Sequence, residues 1–161
     1  MSWEPHKEIE RKYLLTGMPA LPGGAVVDEL EIDQGYYFDH ASEEMARVRR
    51  VRHQDGRRAY YRTVKRGSGL VREEFESDLT RESFEEIWPQ TIGRRIQKTR
   101  FLVRENEFIW EIDRFEDREL VLAEVELETP ETIAPVPQWV AARLDREVTE
   151  EREYTNMSLA R

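Results

Sequence analysis

The sequence predicts a mainly β (α+β) fold, an antiparallel sheet with two or three short helices. Three observations carry this expectation. Segments that alternate charged and apolar residues recur along most of the chain, the two-residue period of strands with one apolar face. Short turn-forming clusters separate them, among them Asp55-Gly56, Gly67-Ser68-Gly69 and Glu105-Asn106-Glu107, and strands joined in succession by hairpins pair antiparallel. The chain is also rich in aromatics, with 4 Trp, 6 Tyr and 6 Phe, which argues for a folded core.

The totals narrow the function. A chain of 161 residues is expected to form a single domain spanning 1–161. Charged residues make up 37%, against about 25% in ordinary soluble proteins. A folded chain with that composition covers its surface with charge or lines a polar interior. The net charge of -9 disfavours a general nucleic-acid binder, although not a local cationic site. Without cysteine there is no disulfide and no thiolate metal site. No signal peptide and no apolar run long enough to span a membrane are found, so the expected location is cytoplasmic, with no membrane partner.

The first strand is organised around Glu8-Ile9-Glu10-Arg11-Lys12. Alternation puts Glu8, Glu10 and Lys12 on one face and Ile9, Arg11 and Tyr13 on the other. Two carboxylates and an ammonium in a row suit a hard cation such as Mg²⁺ or Mn²⁺ and a phosphate. A proline- and glycine-rich loop follows over residues 16–24. Residues 29–38 read as a strand in which Gly35 marks a bulge or a close backbone approach.

Residues 45–65 read as a hairpin about Asp55-Gly56. A two-residue type I′ turn there puts Thr63 and Lys65 on the face of Ala46, Val48, Arg50 and Arg52, with Arg47, Arg49 and Val51 opposite. A one-residue slip moves every side chain to the other face. Residues 70–78 alternate Arg72, Glu74 and Glu76 against Val71, Glu73 and Phe75. Residues 80–88 form the expected helix, capped by Thr80 and stopped by Pro89, with Phe84, Ile87 and Trp88 as a core stripe.

Three more strands are expected at 94–104, 108–115 and 120–128. They present Lys98 and Arg100, then Glu111 and Asp113, then Glu124, Glu126 and Glu128, each set on one face. A short helix at 139–144 and a tail at 148–159 carrying Tyr154 and Asn156 complete the chain. The charged faces thus fall into acidic strands, cationic strands and mixed ones. Other chemistries lack their residues: Gly67-Ser68-Gly69 is no phosphate loop, there is no Gly-x-Ser-x-Gly elbow, and His6, His40 and His53 have no ligand spacing.

Glu8-Ile9-Glu10-Arg11-Lys12 resembles the ExExK signature of the CYTH superfamily, the triphosphate tunnel metalloenzymes. The resemblance runs over nearly the whole chain. Gln34-Gly35-Tyr36, an Arg-x-Arg strand, Thr63-Val64-Lys65, Arg72-x-Glu74-x-Glu76, Lys98-Thr99-Arg100, Trp110-Glu111-Ile112-Asp113, Ala123-Glu124-Val125-Glu126 and the ending Glu147-Val148-Thr149 with Tyr154-x-Asn156 follow in the family's order. The set is most similar to the short bacterial inorganic triphosphatases.

The resemblance implies a closed eight-stranded antiparallel barrel around a polar tunnel. It implies Mg²⁺ or Mn²⁺ on Glu8, Glu10 and Glu126, with Glu124 as a further ligand, and a triphosphate substrate on Lys12, Arg50, Arg52, Lys65, Arg72, Lys98 and Arg100. Glu8, Glu10, Lys12 and Glu126 are the expected catalytic residues. Both Arg47-x-Arg49 and Arg50-x-Arg52 fit the Arg-x-Arg motif. Thr155 departs from the family, which often has Lys at that place. The expected activity is metal-dependent cleavage of tripolyphosphate by a monomer or homodimer. The alternatives are a nucleoside or thiamine triphosphatase, an adenylate cyclase, or a non-catalytic polyphosphate-binding module.

Overall fold

The structure, a computed structural model, describes residues 6–160. Its strands are β1 (His6–Leu15), β2 (Val26–Asp39), β3 (Glu44–His53), β4 (Arg58–Arg66), β5 (Val71–Asp78), β6 (Arg95–Glu105), β7 (Phe108–Phe115), β8 (Val121–Glu126) and β9 (Leu144–Glu147). Three short helices accompany them, α1 (Arg81–Ile87), α2 (Gln138–Ala141) and α3 (Asn156–Leu159). Neighbouring strands run β5-β4-β3-β2-β6-β7-β8-β1, all antiparallel. β1 then pairs back onto β5 from His6↔Glu74 to Ile9↔Val71. Eight strands therefore close into a barrel, which removes the free edges an open sheet would expose. Farther along the same edge of β1, β9 pairs with Tyr13, Leu14 and Leu15. The sequence pattern predicts a helix up to residue 144, but α2 stops at Ala141 and the chain turns into this ninth strand.

The barrel turns much of its apolar face outward. Ile9, Tyr13, Val103, Trp110, Ile112, Ala123 and Val125 are buried on the outside of β1, β6, β7 and β8. The loop before β2 and the segment through α2 cover them with Met18, Leu21, Trp139 and Val140. On the opposite wall α1 lays buried Phe84 against Tyr37, Ala46, Val48 and Val64. The Thr80 hydroxyl caps α1 by accepting from the Ser83 amide at 3.1 Å. A third cluster closes one end of the barrel. There Tyr36, Ile96, Phe115 and Leu122 meet Val148, Tyr154, Leu159 and Ala160 of the C-terminal segment.

Gly35 is a close-approach glycine. A Cβ built on it would lie 2.5 Å from Thr91 Cβ, and Thr91 is fully buried with its hydroxyl donating to the Trp88 carbonyl at 2.7 Å. Gly35→Ala is expected to cost about 1–3 kcal/mol of overpacking. A urea unfolding midpoint equal to that of the parent would show that the 88–91 turn yields freely.

The β3–β4 register corrects the sequence reading. Arg47 pairs with Thr63, Arg49 with Tyr61 and Arg52 with Arg58. The turn has three residues between His53 and Arg57: the Gly56 amide donates to the His53 carbonyl at 3.0 Å and the His53 amide to the Arg57 carbonyl at 2.9 Å. Gly56 alone is left-handed, at φ 90°, whereas a type I′ turn needs positive φ at Asp55 too. The extra residue shifts the pairing by one. Arg50 and Arg52 consequently face outward, where Arg50 pairs with Asp33 at 2.7 Å and Arg52 with Glu31. Arg47 and Arg49 face the barrel interior.

Candidate functional site

Residues opposite one another in adjacent strands share a face, so the pairings fix what lines the barrel. Lys12 lies opposite Glu124, Glu124 opposite Glu111, and Asp113 opposite Arg100. Across the other seam Glu8 lies opposite Arg72, and Lys65 opposite Glu74. The interior is a layer of alternating acids and cations. Buried charges are tolerable only when paired and hydrogen-bonded, and nearly all of these are.

Two acidic groups differ in environment. Glu10, Glu111 and Glu124 come from three adjacent strands, and one carboxylate oxygen of each lies within 4.8 Å of the others. Burial, Glu124 and Glu8 push the Glu10 carboxyl up to about 8. Burial also raises Glu111, helped by Glu124 and Asp113. Glu124 is held below the usual carboxylate range, because Lys12, Arg100 and Lys98 outweigh its burial. Its Oε1 lies 3.4 Å from Lys12 Nζ, yet no donor is aligned on it. An unsatisfied buried oxygen among repelling carboxylates fits a hard divalent cation, which takes oxygen ligands.

Cations reach the first group as well, Arg100 lying 2.7 Å from Glu111, and a second acidic group, Glu8 and Glu74, faces Lys65 and Arg72. Glu8 accepts from Lys65 at 3.0 Å and from Arg72 at 3.2 Å, and the same Arg72 nitrogen reaches Glu10 at 3.4 Å. Burial and the hydrogen bond with Glu8 raise Glu74 to about 8. Glu8 itself is lowered, since Glu74, Lys65 and Arg72 outweigh its burial. The two carboxyls are thus pushed apart, Glu74 toward its protonated form and Glu8 toward its ionised form.

Cations line the rest. Asp113, fully buried, accepts from Lys98 at 2.7 Å and bidentately from Arg100 at 2.7 and 2.8 Å. Burial, Arg100 and Arg49 bring Lys98 down to about 7 despite Asp113. Arg47 donates to Thr63 at 3.2 Å, but its buried Nε has no partner. Arg49 donates to Gln34 at 3.1 Å. Burial, Arg47 and Arg100 press it down to about 10 despite Tyr36 and Asp113. A cavity of about 720 Å³ opens on this side, lined by Arg47, Thr63, Lys65, Arg72 and the C-terminal segment. That segment is anchored inside: the Tyr154 carbonyl accepts from Lys12 at 3.0 Å, and Asn156 Oδ1 from Lys98 at 3.3 Å.

The CYTH domain family matches residues 6–160. This chain belongs to that family. An inorganic triphosphatase of Nitrosomonas europaea is 33% identical over 159 residues, covering 95% of this chain and 96% of its own. One of Acetivibrio thermocellus is 33% identical over 162 residues, covering 96% and 94%. Among solved structures, the crystal structure of an inorganic triphosphatase superposes with a TM-score of 0.59 at 28% identity, covering 95% of this chain and 93% of that one.

Within this CYTH barrel, Glu8, Glu10, Lys12, Lys65, Arg72, Lys98, Arg100 and Glu124 point inward as the sequence predicts. Glu126 shares their face, being opposite Glu10. It sits at the rim with its side chain 59% exposed and 3.4 Å from His6, outside the carboxylate cluster. Glu8 faces cations instead of that cluster. Glu111 is the cluster member absent from the expected metal ligands, and the β7–β8–β1 adjacency is what delivers it. Thr155 caps α3, its hydroxyl accepting from the Ser158 amide at 3.2 Å.

Proposed function

We propose that this protein hydrolyses inorganic triphosphate to phosphate and diphosphate inside the barrel, with Mg²⁺ or Mn²⁺ held by Glu10, Glu111 and Glu124. The observation that carries this reading is the cluster of three carboxylates beside inward-facing cations, within a closed barrel. The two relatives named inorganic triphosphatase support it. Bound there, the cation would polarise a phosphoryl oxygen. Lys12, Arg47, Arg49, Lys65, Arg72 and Arg100 would hold the phosphate chain, the guanidinium groups as bidentate forks and the lysines as point charges. Glu8 would orient Lys65 and Arg72, which it already binds. Phosphoryl transfer asks chiefly for such positioning and charge stabilisation.

The register sets a sharp ranking. Arg47→Ala and Arg49→Ala are each expected to raise the KM for tripolyphosphate about 10- to 100-fold, the worth of a charged bidentate contact. Arg50→Ala and Arg52→Ala, whose side chains are 42% and 51% exposed, should stay within about twofold, as solvated ion pairs contribute little. Steady-state kinetics on the four variants decide it, and the opposite order would refute the inward placement.

Substrate choice is tested with a panel. The cavity that opens beside the cations is also lined by Met45 and by the exposed Met157, so a nucleoside has some apolar surface to meet. Of the polar side chains beside it, Asn156 accepts from Lys98 and Thr155 caps α3, and added atoms without contacts add no transition-state binding. Tripolyphosphate should therefore be cleaved faster than ATP or thiamine triphosphate, with no cyclic AMP formed. Faster release of phosphate from ATP, or cyclisation, would favour the nucleotide reading.

A further inference from the structure

We propose that Arg152 is an additional substrate-binding and specificity residue, gripping the outermost phosphoryl group of the triphosphate at the cavity mouth. The proposal rests on the triphosphatase reading and adds a subsite supplied by the C-terminal segment.

Arg152 begins a single 3-10 turn, Arg152–Tyr154, and lines the same cavity of about 720 Å³ as Arg47, Lys65 and Arg72. Its backbone is held in place from three sides. Glu151 accepts bidentately from Arg146 at 3.0 Å on both oxygens. The Tyr154 carbonyl accepts from Lys12, and Asn156 accepts from Lys98, so two cations of the interior anchor the segment. A side chain on so constrained a turn presents its charge at a defined place.

Among the described residues, Arg152 makes no ion pair and no side-chain hydrogen bond. The one carboxylate lining that cavity, Glu44, already accepts bidentately from Arg66 at 2.7 and 3.0 Å. An exposed arginine without a partner is ordinary on a surface. Here it lines the same cavity as Arg47, Lys65 and Arg72, of which Lys65 and Arg72 are already paired with Glu8 at 3.0 and 3.2 Å, so an anion that enters meets cations from both the barrel wall and the C-terminal segment. A phosphoryl group held on its inner side by Lys65 and Arg72 would offer its outer oxygens to the Arg152 fork. Because the outermost group is the one a shorter chain lacks, the contact favours triphosphate over diphosphate.

The test compares parent, Arg152→Ala and Arg152→Lys by steady-state kinetics with tripolyphosphate and Mg²⁺, and by inhibition with diphosphate. Arg152→Ala should raise KM about 5- to 10-fold with kcat nearly unchanged, and the effect should shrink at high salt because the site is exposed. Arg152→Lys should fall between the two. The inhibition constant of diphosphate should move less than the KM. An unchanged KM in Arg152→Ala overturns the proposal while leaving the parent's hydrolysis intact. A loss of kcat together with a lowered melting temperature also overturns it, in favour of a structural role. If the parent does not cleave tripolyphosphate, the functional reading fails separately, and calorimetric binding of tripolyphosphate decides this one. Weaker binding by Arg152→Ala would sustain the subsite; equal binding, or none by the parent, would remove it.

Discussion

Glu10→Gln is expected to abolish tripolyphosphate hydrolysis, with turnover down at least about 100-fold, while the protein stays as stable as the parent near neutral pH. The two halves of this result have one cause. Burial, Glu124 and Glu8 raise Glu10 to about 8 from an ordinary 4.5, so below that pH it already carries a proton in the metal-free protein. Glutamine imitates the protonated acid and disturbs little. It cannot lose a proton, and a cation needs the carboxylate. Glu124→Gln should be as inactive but also less stable, because the Glu124 charge offsets Lys12 and Arg100.

The same shift fixes a pH dependence. A carboxyl raised on folding contributes stability that is fully present below its unfolded value of 4.5 and is lost as pH rises through about 8. The metal-free protein should thus lose part of its stability across that window, and Mg²⁺ should restore it. Below pH 8, binding of Mg²⁺ should release a proton, a quantity read by calorimetry in buffers of different ionisation enthalpy. Full activity in Glu10→Gln at low Mg²⁺ would show that Glu10 holds no metal.

The largest loss of stability is expected at Asp113. Its carboxylate is fully buried and receives three hydrogen bonds from Lys98 and Arg100. Asp113→Leu would leave both cations buried with their main counter-charge gone. Removing one partner of a buried ion pair costs about 3–5 kcal/mol, enough to consume much of an ordinary domain's stability of roughly 5–15 kcal/mol. Urea unfolding measures it. A loss below about 1 kcal/mol would show that Glu111 and Glu124, 2.7 and 3.8 Å from Arg100, suffice to balance the cluster.

Much of this architecture is legible because strand alternation has a strict period. Glu8, Glu10 and Lys12, Lys98 and Arg100, and Glu111 and Asp113 each separate cleanly from their apolar neighbours, and the ordered motifs point to a closed barrel. The hairpin misled because Asp55-Gly56 suits two turns that differ by one residue, and local sequence does not choose between them. Glu126 reads like Glu124 in the pattern; only the end of the β1–β8 ladder shows that it reaches solvent. Glu111 meets Glu10 across two intervening strand pairings, a contact that no single strand encodes. The C-terminal segment has no periodicity to reveal that Asn156 enters the barrel, and its other anchor is the Tyr154 backbone carbonyl, a group every residue carries.

This barrel is expected to cleave inorganic triphosphate with a divalent cation. The most direct measurement is ³¹P NMR of tripolyphosphate incubated with the protein and Mg²⁺ or Mn²⁺, with a chelator added to a parallel sample. Phosphate and diphosphate should appear in equal amounts with metal, with no conversion in the presence of chelator. Tripolyphosphate that remains intact with every divalent metal while its resonances shift on binding would contradict it, and would make this barrel a phosphate-chain binder instead of a hydrolase.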